Sequence, residues 1–339
     1  MTNHCKRIER RAIAVAVVIV TAAVAVYGQS TGDKLSRATV VRTAYAPFIG
    51  GLGLYLMKKE GIDKKNGIDL QIGAYGATST LMSVMTGDVD IAFATLQSYM
   101  TSINALVEEG SKVSSLPKIV YLHNESRGAD GIVSKLDIKT IADLKGKRVS
   151  AQFGTVTHYM LAKALQKGGL SIEDVQMIDM GPGKGGSAFI AGNLDAATTF
   201  EPYLSKAKIK GGNILITTKD MPRTILDVIV VSAKVAKERP EWLAKTLKAI
   251  DESTVFCSSN LNKAADETKD VFESSNDEVK SMYKTVYLYT AADNKAAMAD
   301  GGWLYSTMKD AKDFYVSIKA MSPSIDFSQL VDKEFLPAN

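Results

Sequence analysis

Six short loops of this 339-residue sequence combine small, hydroxyl and aromatic residues, and each lies between a strand-like apolar run and a helical run. They span residues 44–48, 74–80, 95–99, 153–158, 181–183 and 200–203. Free backbone N–H groups at a helix start, together with hydroxyl groups, bind a small anion without a fixed positive charge. Aromatic rings can close over an organic part of the same molecule. The loops therefore predict a binding site for a small molecule.

The side chains that we expect to line this site come from five of these loops and from one later strand. They are Tyr45, Pro47, Phe48, Tyr75, Ser79, Thr80, Gln97, Ser98, Thr155, Thr157, His158, Glu201, Tyr203 and Asp227. The alternative interpretation is that loops are polar and helices need capping residues. The occurrence of similar loops in both halves of the sequence favours a shared cleft.

A nucleotide cofactor is suggested by one pattern and opposed by its surroundings. Residues 181–186 match the dinucleotide-binding pattern G-x-G-x-x-G, and Glu201 supplies an acidic residue about 20 positions later. The helix between Gly186 and Gly192 has only about two turns, too few for the crossover that such a fold needs. Lys184 is not followed by Ser or Thr, which excludes a P-loop. We expect no cofactor.

Metal binding and covalent catalysis have little support in the residue types. Beyond residue 28 the sequence contains His123, His158 and a single cysteine, Cys257, so a zinc site of the common types cannot be assembled. His158 is the best candidate for a general base, but no second catalytic member is recognisable. The alternative interpretation is a histidine beside a helix cap. We therefore expect no metal site and no enzymatic activity.

The N-terminus has the three parts of a secretory signal peptide. Four basic residues precede an uncharged apolar run at residues 12–26, and small residues place cleavage after Gly28. The alternative is an uncleaved anchor, although the run is shorter than the roughly 20 residues of a membrane span. Cys5 precedes the run, so a lipidation site is not expected. We predict an exported, periplasmic protein without a lipid anchor.

The net charge of +4 depends on this leader. Removing residues 1–28 leaves 37 basic residues (41 − 4) against 36 acidic ones (37 − 1). The hydrophobic fraction of 46% and charged fraction of 23% are those of an ordinary folded protein. Nucleic acid is therefore not an expected partner.

Strand-like and helical runs alternate from residue 38 onward, which favours an α/β architecture. One pattern occurs twice, since LMSVMTGDVDIAFAT and SAFIAGNLDAATTF both read as a helix, a glycine, an aspartate and a strand. Asp90 and Asp195 are equivalent in this alignment, and a turn carboxylate of this kind accepts backbone N–H bonds. From residue 232 the pattern is helical to the end. Two similar α/β lobes, with the helical tail returning to the first, are expected.

The order of motifs resembles the NMT1/THI5-like solute-binding proteins. It includes Y-x-P after the first strand, N-G-I-D-L, G-D-V-D-I-A, I-x-D-L-K-G-K-R-V at residues 141–149, and G-N-L-D-A-x-x-x-x-E-P-Y at residues 192–203. The resemblance covers about residues 38–231. It implies a type II periplasmic-binding-protein fold, in which two α/β lobes joined by two hinge crossings, near residues 125–132 and 223–231, enclose a central cleft.

The same resemblance implies domain limits, partners and a ligand class. Residues 1–28 would be the signal peptide, residues 29–125 plus 232–339 the first lobe, and residues 126–231 the second lobe with the hinge strands. A monomer would capture a small anion or polar molecule of the sulfonate, taurine or nitrate class and deliver it to an ABC permease and its ATPase. Asp227 would pair a ligand amine or, equally, bond the backbone of a hinge strand. An enzyme on the same scaffold, of the pyrimidine-synthase kind, and a ligand-sensing receptor subunit are the alternatives.

Overall fold

The computed structural model describes residues 40–44, 48–73 and 80–338. The predicted signal peptide therefore lies outside the described residues. Within them, no helix combines the length and the apolar character that crossing a membrane requires.

Eleven strands and thirteen α-helices occur in the described part of the chain. The strands are β1 (Val40–Ala44), β2 (Asp69–Gly73), β3 (Ile91–Thr95), β4 (Lys118–Ser126), β5 (Asp130–Ser134), β6 (Arg148–Ala151), β7 (Gln176–Asp179), β8 (Ala196–Phe200), β9 (Asn213–Thr217), β10 (Leu226–Val231) and β11 (Val286–Leu288). The helices are α1 (Leu52–Lys59), α2 (Ile62–Lys65), α3 (Thr80–Thr86), α4 (Leu96–Glu108), α5 (Val156–Lys167), α6 (Pro182–Ile190), α7 (Tyr203–Ile209), α8 (Ala233–Glu238), α9 (Pro240–Ser259), α10 (Leu261–Thr268), α11 (Asn276–Tyr283), α12 (Ala291–Met298) and α13 (Trp303–Ser317).

The strands form two mixed sheets. The first has the order β11–β4–β10–β3–β1–β2, and the second has the order β7–β6–β8–β5–β9. β10 is antiparallel to both of its neighbours, β3 and β4, whereas β1 and β3 are parallel. In the second sheet β6 is parallel to β7 and β8, and β5 is antiparallel to β8 and β9. This mixed α/β architecture confirms the predicted fold class.

Helices cover both faces of the first sheet, and β10 shows why its sequence is apolar from Val228 to Val231. Val228 and Val230 pack into a core that contains residues of α4, α12 and α13. Ile229 and Val231 point to the opposite face, into a core with α1 and α9. Successive side chains of a strand alternate between faces, so a strand that is buried on both sides reads as a continuous hydrophobic run.

The chain crosses from the first sheet to the second between Ser126 and Asp130, and it returns between Thr217 and Leu226. Hydrogen bonds join the two crossings. The hydroxyl groups of Ser126 and Thr218 are 2.7 Å apart, and the Gly128 N–H donates to the Thr218 Oγ1 at 2.8 Å. The crossings are therefore held side by side as one hinge-like connection.

The internal repeat recognised in the sequence has a physical counterpart at its aspartates. The Asp90 carboxylate accepts from the Arg42 N–H at 2.9 Å, and the Asp195 carboxylate accepts from the Arg148 N–H at 3.0 Å. In each case the aspartate N–H donates back to the carbonyl of the same arginine. The predicted role of these aspartates as acceptors of backbone N–H groups is confirmed.

The helical prediction for the tail is wrong at one place. α11 ends at Tyr283, and Val286–Leu288 form β11, which pairs with the end of β4. The local sequence V-Y-L is β-branched and aromatic, which suits a strand beside a partner that offers a free edge. The strand propensity of these three residues is masked in the sequence by the helical pattern on both sides of them.

Candidate ligand-binding cleft

Three carboxyl groups gather where the chain passes between the sheets. Asp130 begins β5, Asp227 lies in β10, and Glu201 follows β8. Burial raises the pKa of Asp227 to about 6. Burial raises the pKa of Asp130 to about 7, and the negative charges of Asp227 and Glu201 add to this rise. The site therefore resists the ionisation of Asp130 and Asp227.

Asn124 holds the Asp227 carboxylate from the neighbouring strand. The two residues are paired in register between β4 and β10, and the Asn124 Nδ2 donates to the Asp227 Oδ2 at 2.9 Å. The segment after β1 closes on this pair, because a Cβ added to Gly50 would lie 2.5 Å from the Asn124 Nδ2 and 2.9 Å from the Phe48 ring. Only glycine permits this close approach.

Gln97 and Ser98 begin α4 beside the same strand. Gln97 is fully buried, and its Nε2 donates to the Thr224 carbonyl at 2.8 Å, so it supports the return crossing. The Ser98 N–H donates to the Thr95 Oγ1 at 3.2 Å, which caps the helix. Thr95 is the residue that pairs with Asp227 across β3 and β10.

The hydroxyl groups at the start of α5 are used within their own loop. Thr155 Oγ1 donates to the Gln152 carbonyl at 2.8 Å, and Thr157 Oγ1 accepts from the Gln152 N–H at 3.0 Å. This pairing fixes the loop that follows β6. The first N–H groups of any α-helix lack intrahelical acceptors, so the end of α5 keeps its capacity to bind an anion.

His158 lies one residue further along, inside a groove between α5 and α13. It is 1% exposed, and its ring centroid is 5.2 Å from those of both Phe153 and Phe314. The His158 Nδ1 accepts from the Gly154 N–H at 3.3 Å, and burial lowers the pKa of the imidazole. His158 is therefore a neutral ring packed among aromatic residues.

Glu201 and Tyr203 surround the start of α7. The Glu201 carboxylate accepts from the Ser205 N–H at 3.1 Å and from the Ser205 hydroxyl at 2.9 Å. A Cβ added to Gly183 or to Gly186 would lie 3.4 Å from the Tyr203 Oη or 2.7 Å from the Tyr203 Cβ. Of the three glycines in the G-x-G-x-x-G pattern, Gly186 is the one that makes room for Tyr203, which is a packing explanation for this position of a motif that resembles a nucleotide loop.

Four of the candidate residues, Tyr45, Pro47, Tyr75 and Ser79, lie outside the described residues, as does the side chain of Thr80. Asn124 and Asp130 were not among the candidates. Asp130 is one of the three carboxyl groups of the cluster, and Asn124 donates to another, Asp227. Both lie in the polar run from His123 to Asp130 between two apolar stretches, and nothing in that run distinguishes them from their polar neighbours.

Comparisons with known proteins place this geometry in context. A family model described as NMT1/THI5 like matches residues 51–264, more than half of the chain. A putative binding protein of Brucella abortus is 26% identical over 223 residues, covering 60% of this chain and 70% of the relative. A putative aliphatic sulfonates-binding protein of Bacillus subtilis is 28% identical over 222 residues, covering 65% of each chain. The taurine-binding periplasmic protein of Escherichia coli is 27% identical over 141 residues, 41% of this chain and 42% of the relative.

Solved structures share the fold at low identity. The periplasmic aliphatic sulphonate binding protein SsuA of Escherichia coli aligns with a TM-score of 0.72 at 19% identity, over 87% of this chain and 92% of SsuA. The desulfurization enzyme DSZB aligns with a TM-score of 0.64 at 14% identity, over 88% and 97% of the two chains. The fold is thus common to binding proteins and to an enzyme. The two sheets, the double crossing and the family match together show that this chain belongs to the NMT1/THI5-like family and has the periplasmic-binding-protein fold.

Proposed function

We propose that this protein is the solute-binding component of an ABC importer and that it captures a small zwitterion of the aminosulfonate class, for which taurine is the reference compound. The observation that carries the proposal is the carboxyl pair Asp130 and Asp227 at the crossing between the sheets. The protein acts as a monomer in the periplasm, after removal of its leader, and passes its ligand to a membrane permease driven by an ATPase.

The carboxyl pair favours a ligand with a positive group. Loss of hydration raises the pKa of Asp130 to about 7 and that of Asp227 to about 6, and the negative charge of Asp227 adds to the rise at Asp130. An ammonium group placed between them supplies the missing opposite charge and favours their ionised forms. A sulfonate without an amine gains nothing from this part of the cleft.

The anionic end of such a ligand has a complementary place at the start of α5. Its N-terminal residue, Val156, follows the fixed loop of Thr155 and Gln152. Backbone N–H groups and the helix dipole favour a negative charge there. The relatives named as sulfonate-binding and taurine-binding proteins support the same ligand class.

Catalysis is not part of the proposal, although the fold also occurs in the desulfurization enzyme DSZB. His158, the best candidate base, is buried between Phe153 and Phe314, and within the described residues its Nε2 has no hydrogen-bond partner. A general base needs a reachable nitrogen and a group that orients the ring. We expect purified protein to bind taurine without converting it.

The test compares three small molecules by calorimetry and thermal unfolding. Taurine carries both charges, ethanesulfonate lacks the amine, and ethylamine lacks the sulfonate. Taurine at 100 times its dissociation constant stabilises the folded protein by about 2.7 kcal/mol, and the other two should bind at least tenfold more weakly. Asp227→Asn should remove the preference for taurine over ethanesulfonate. Equal affinity of the wild type for taurine and ethanesulfonate would refute the role of the carboxyl pair.

A matched pair of glycine variants tests the location of the site. Gly50→Ala pushes the new Cβ into Asn124 and displaces it from Asp227, so taurine affinity should fall. Gly53→Ala, three residues later, meets only the Ser253 Oγ at 3.4 Å and the Cys257 Sγ at 3.9 Å, so binding should be unchanged. Loss of binding in Gly53→Ala and not in Gly50→Ala would place the site elsewhere.

A further inference from the structure

Helices α5 and α13 connect the two sheets at a place remote from the crossings in sequence. Met160 and Leu161 of α5 belong to the core of the second sheet, together with Val149 of β6. On the adjoining face of α5, Tyr159 is 2% exposed and packs into the core of the first sheet, with Tyr315 of α13. Helix α5, which packs on the second sheet, thus also contributes to the core of the first sheet.

A polar contact lies at the centre of this junction. The Tyr159 hydroxyl donates to the Asp310 Oδ2 at 2.7 Å, and the Lys163 Nζ lies 2.5 Å from the same oxygen. The Asp310 side chain is 57% exposed, so solvent screens its ion pair with Lys163, whereas the Tyr159 hydroxyl is donated from a buried ring. Asp310 therefore receives two donors, both from α5.

The junction lies next to the return crossing. Tyr159, Lys163 and Asp310 line one cavity of about 240 Å³ together with Pro222, Arg223 and Thr224 of that crossing. On the other side a groove of about 690 Å³ runs between α5 and α13. A rotation of the second sheet about its crossings therefore moves α5 against α13, with open space on both sides of the contact to receive the displaced side chains.

We propose that the arrangement of the two sheets in this structure is the closed one, and that Asp310 is a positioning residue whose contact with α5 holds the sheets in it and so sets ligand affinity without touching the ligand. The proposal rests on the proposed function, in which ligand binds between the sheets. Packed interfaces switch between discrete arrangements, and a contact made in only one of them biases the equilibrium. The apparent dissociation constant rises as the fraction of closed protein falls.

The test uses two variants of the contact and one control on the same helix. Asp310→Ala removes the acceptor, and Tyr159→Phe removes only the donated hydroxyl while the ring stays in the core. Asp313→Ala removes an acid whose partner, Lys309, lies on α13 itself at 2.5 Å. Affinity for taurine should weaken about fivefold or more in Asp310→Ala, and by a smaller factor in Tyr159→Phe. Asp313→Ala should stay within about twofold of the wild type.

Distances measured without ligand separate this proposal from the proposed function. Spin labels at Lys208→Cys on α7 and Lys245→Cys on α9 of the protein without its leader, with Cys257 replaced by alanine, report the separation of the sheets. Asp310→Ala should shift the ligand-free distribution to longer distances. If that shift occurs but neither the wild type nor any variant binds taurine, the contact does hold the sheets closed. The proposed ligand class is then wrong. If taurine binds and neither distances nor affinity change in Asp310→Ala, the role of Asp310 is overturned, as it is if Asp313→Ala has the same effect.

Discussion

Asp130 and Asp227 are acidic side chains whose ionisation the fold opposes. Proteins seldom place two carboxyl groups in a poorly hydrated site without a cation, because each removes solvation from the other. In the ligand-free protein these residues therefore cost stability near neutral pH. A ligand cation that removes this destabilisation when it binds gains affinity by the same free energy.

This cost has a definite pH dependence. The Asp227 pKa is about 6 in the folded protein and 3.8 ordinarily, so the folded state keeps the proton to higher pH than the unfolded state. Its stabilising contribution is complete below about pH 4 and is lost as the pH rises through about 6. Asp227→Asn has no such loss. Its melting temperature relative to the wild type should therefore increase from pH 4 to pH 7 in ligand-free protein.

The histidines act in the opposite direction and cancel in this comparison. Burial lowers the pKa of His123 to about 4 and also lowers that of His158, so both oppose folding as the pH falls. They are present in the variant and in the wild type alike. A difference in melting temperature that stays constant over the range would show that Asp227 ionises as freely in the folded protein as in the unfolded one.

Single residues were predictable from sequence to the extent that a pattern marked them. Asp227 and Glu201 stand out because each is an acid at the end or start of an apolar run. Asn124 and Asp130 matter equally, but their importance arises from the pairing of β4 with β10 and of β5 with β8. Such pairings join residues that are far apart in sequence, 103 positions for Asn124 and Asp227, and local periodicity does not encode them.

At the scale of elements, a side chain of α12 completes the edge of a strand. β11 covers only the last part of β4, from Asn124 to Ser126. Beyond it, the buried Asn294 amide takes the place of a strand, since its Oδ1 accepts from the Leu122 N–H at 2.5 Å and its Nδ2 donates to the Leu122 carbonyl at 3.0 Å. One side chain thus satisfies two backbone groups.

Asn294→Ala should be strongly destabilising for this reason. It leaves a buried N–H and a buried carbonyl without partners, which costs about 2–4 kcal/mol in the free energy of unfolding. Asn276→Ala is the control, because the Asn276 side chain bonds the Asn262 carbonyl at 3.3 Å and the Asp266 carboxylate at the surface, and its loss should change stability by less than about 0.5 kcal/mol. Urea denaturation measures both. Similar midpoints for the two variants would contradict the structural role of Asn294.

Elements differed in how well the sequence predicted them. β10 is apolar apart from Asp227, and the sequence predicts a strand at Leu226–Val231, as observed. β11 was missed because three residues carry no period of their own, and their strand state comes from the edge of β4. β5 and β9, which lie beside the two crossings, are not among the strands that the sequence predicts.

At the scale of the whole molecule, the second sheet is made from one continuous stretch of chain, whereas the first needs both ends. All five strands of the second sheet lie between Asp130 and Thr217, and they enclose two apolar clusters of their own. The repeated helix–glycine–aspartate pattern made the α/β class predictable. It could not reveal where the chain crosses, because the crossings have no pattern of their own.

The continuity of the second sheet predicts that residues 127–221 fold alone. The fragment keeps the core around Leu144, Val149 and Leu161, although Tyr159 loses its cover from α13. We expect a cooperative thermal transition by circular dichroism, at a lower temperature than in the full chain. The same fragment with Leu161→Asp should lose that transition. A non-cooperative melt of the unsubstituted fragment would show that the second lobe depends on the first.

The position of β10 between β3 and β4 also bears on synthesis of the chain. β4 ends at Ser126, and its neighbour begins at Leu226, roughly 100 residues later. At the usual rate of translation this delay lasts about 5–20 seconds, during which two hydrophobic strand edges have no partner. Unpaired edges recruit other chains. A nascent chain that stops within the second sheet is therefore a substrate for chaperones or for aggregation, whereas one that stops after residue 231 has already closed its central gap.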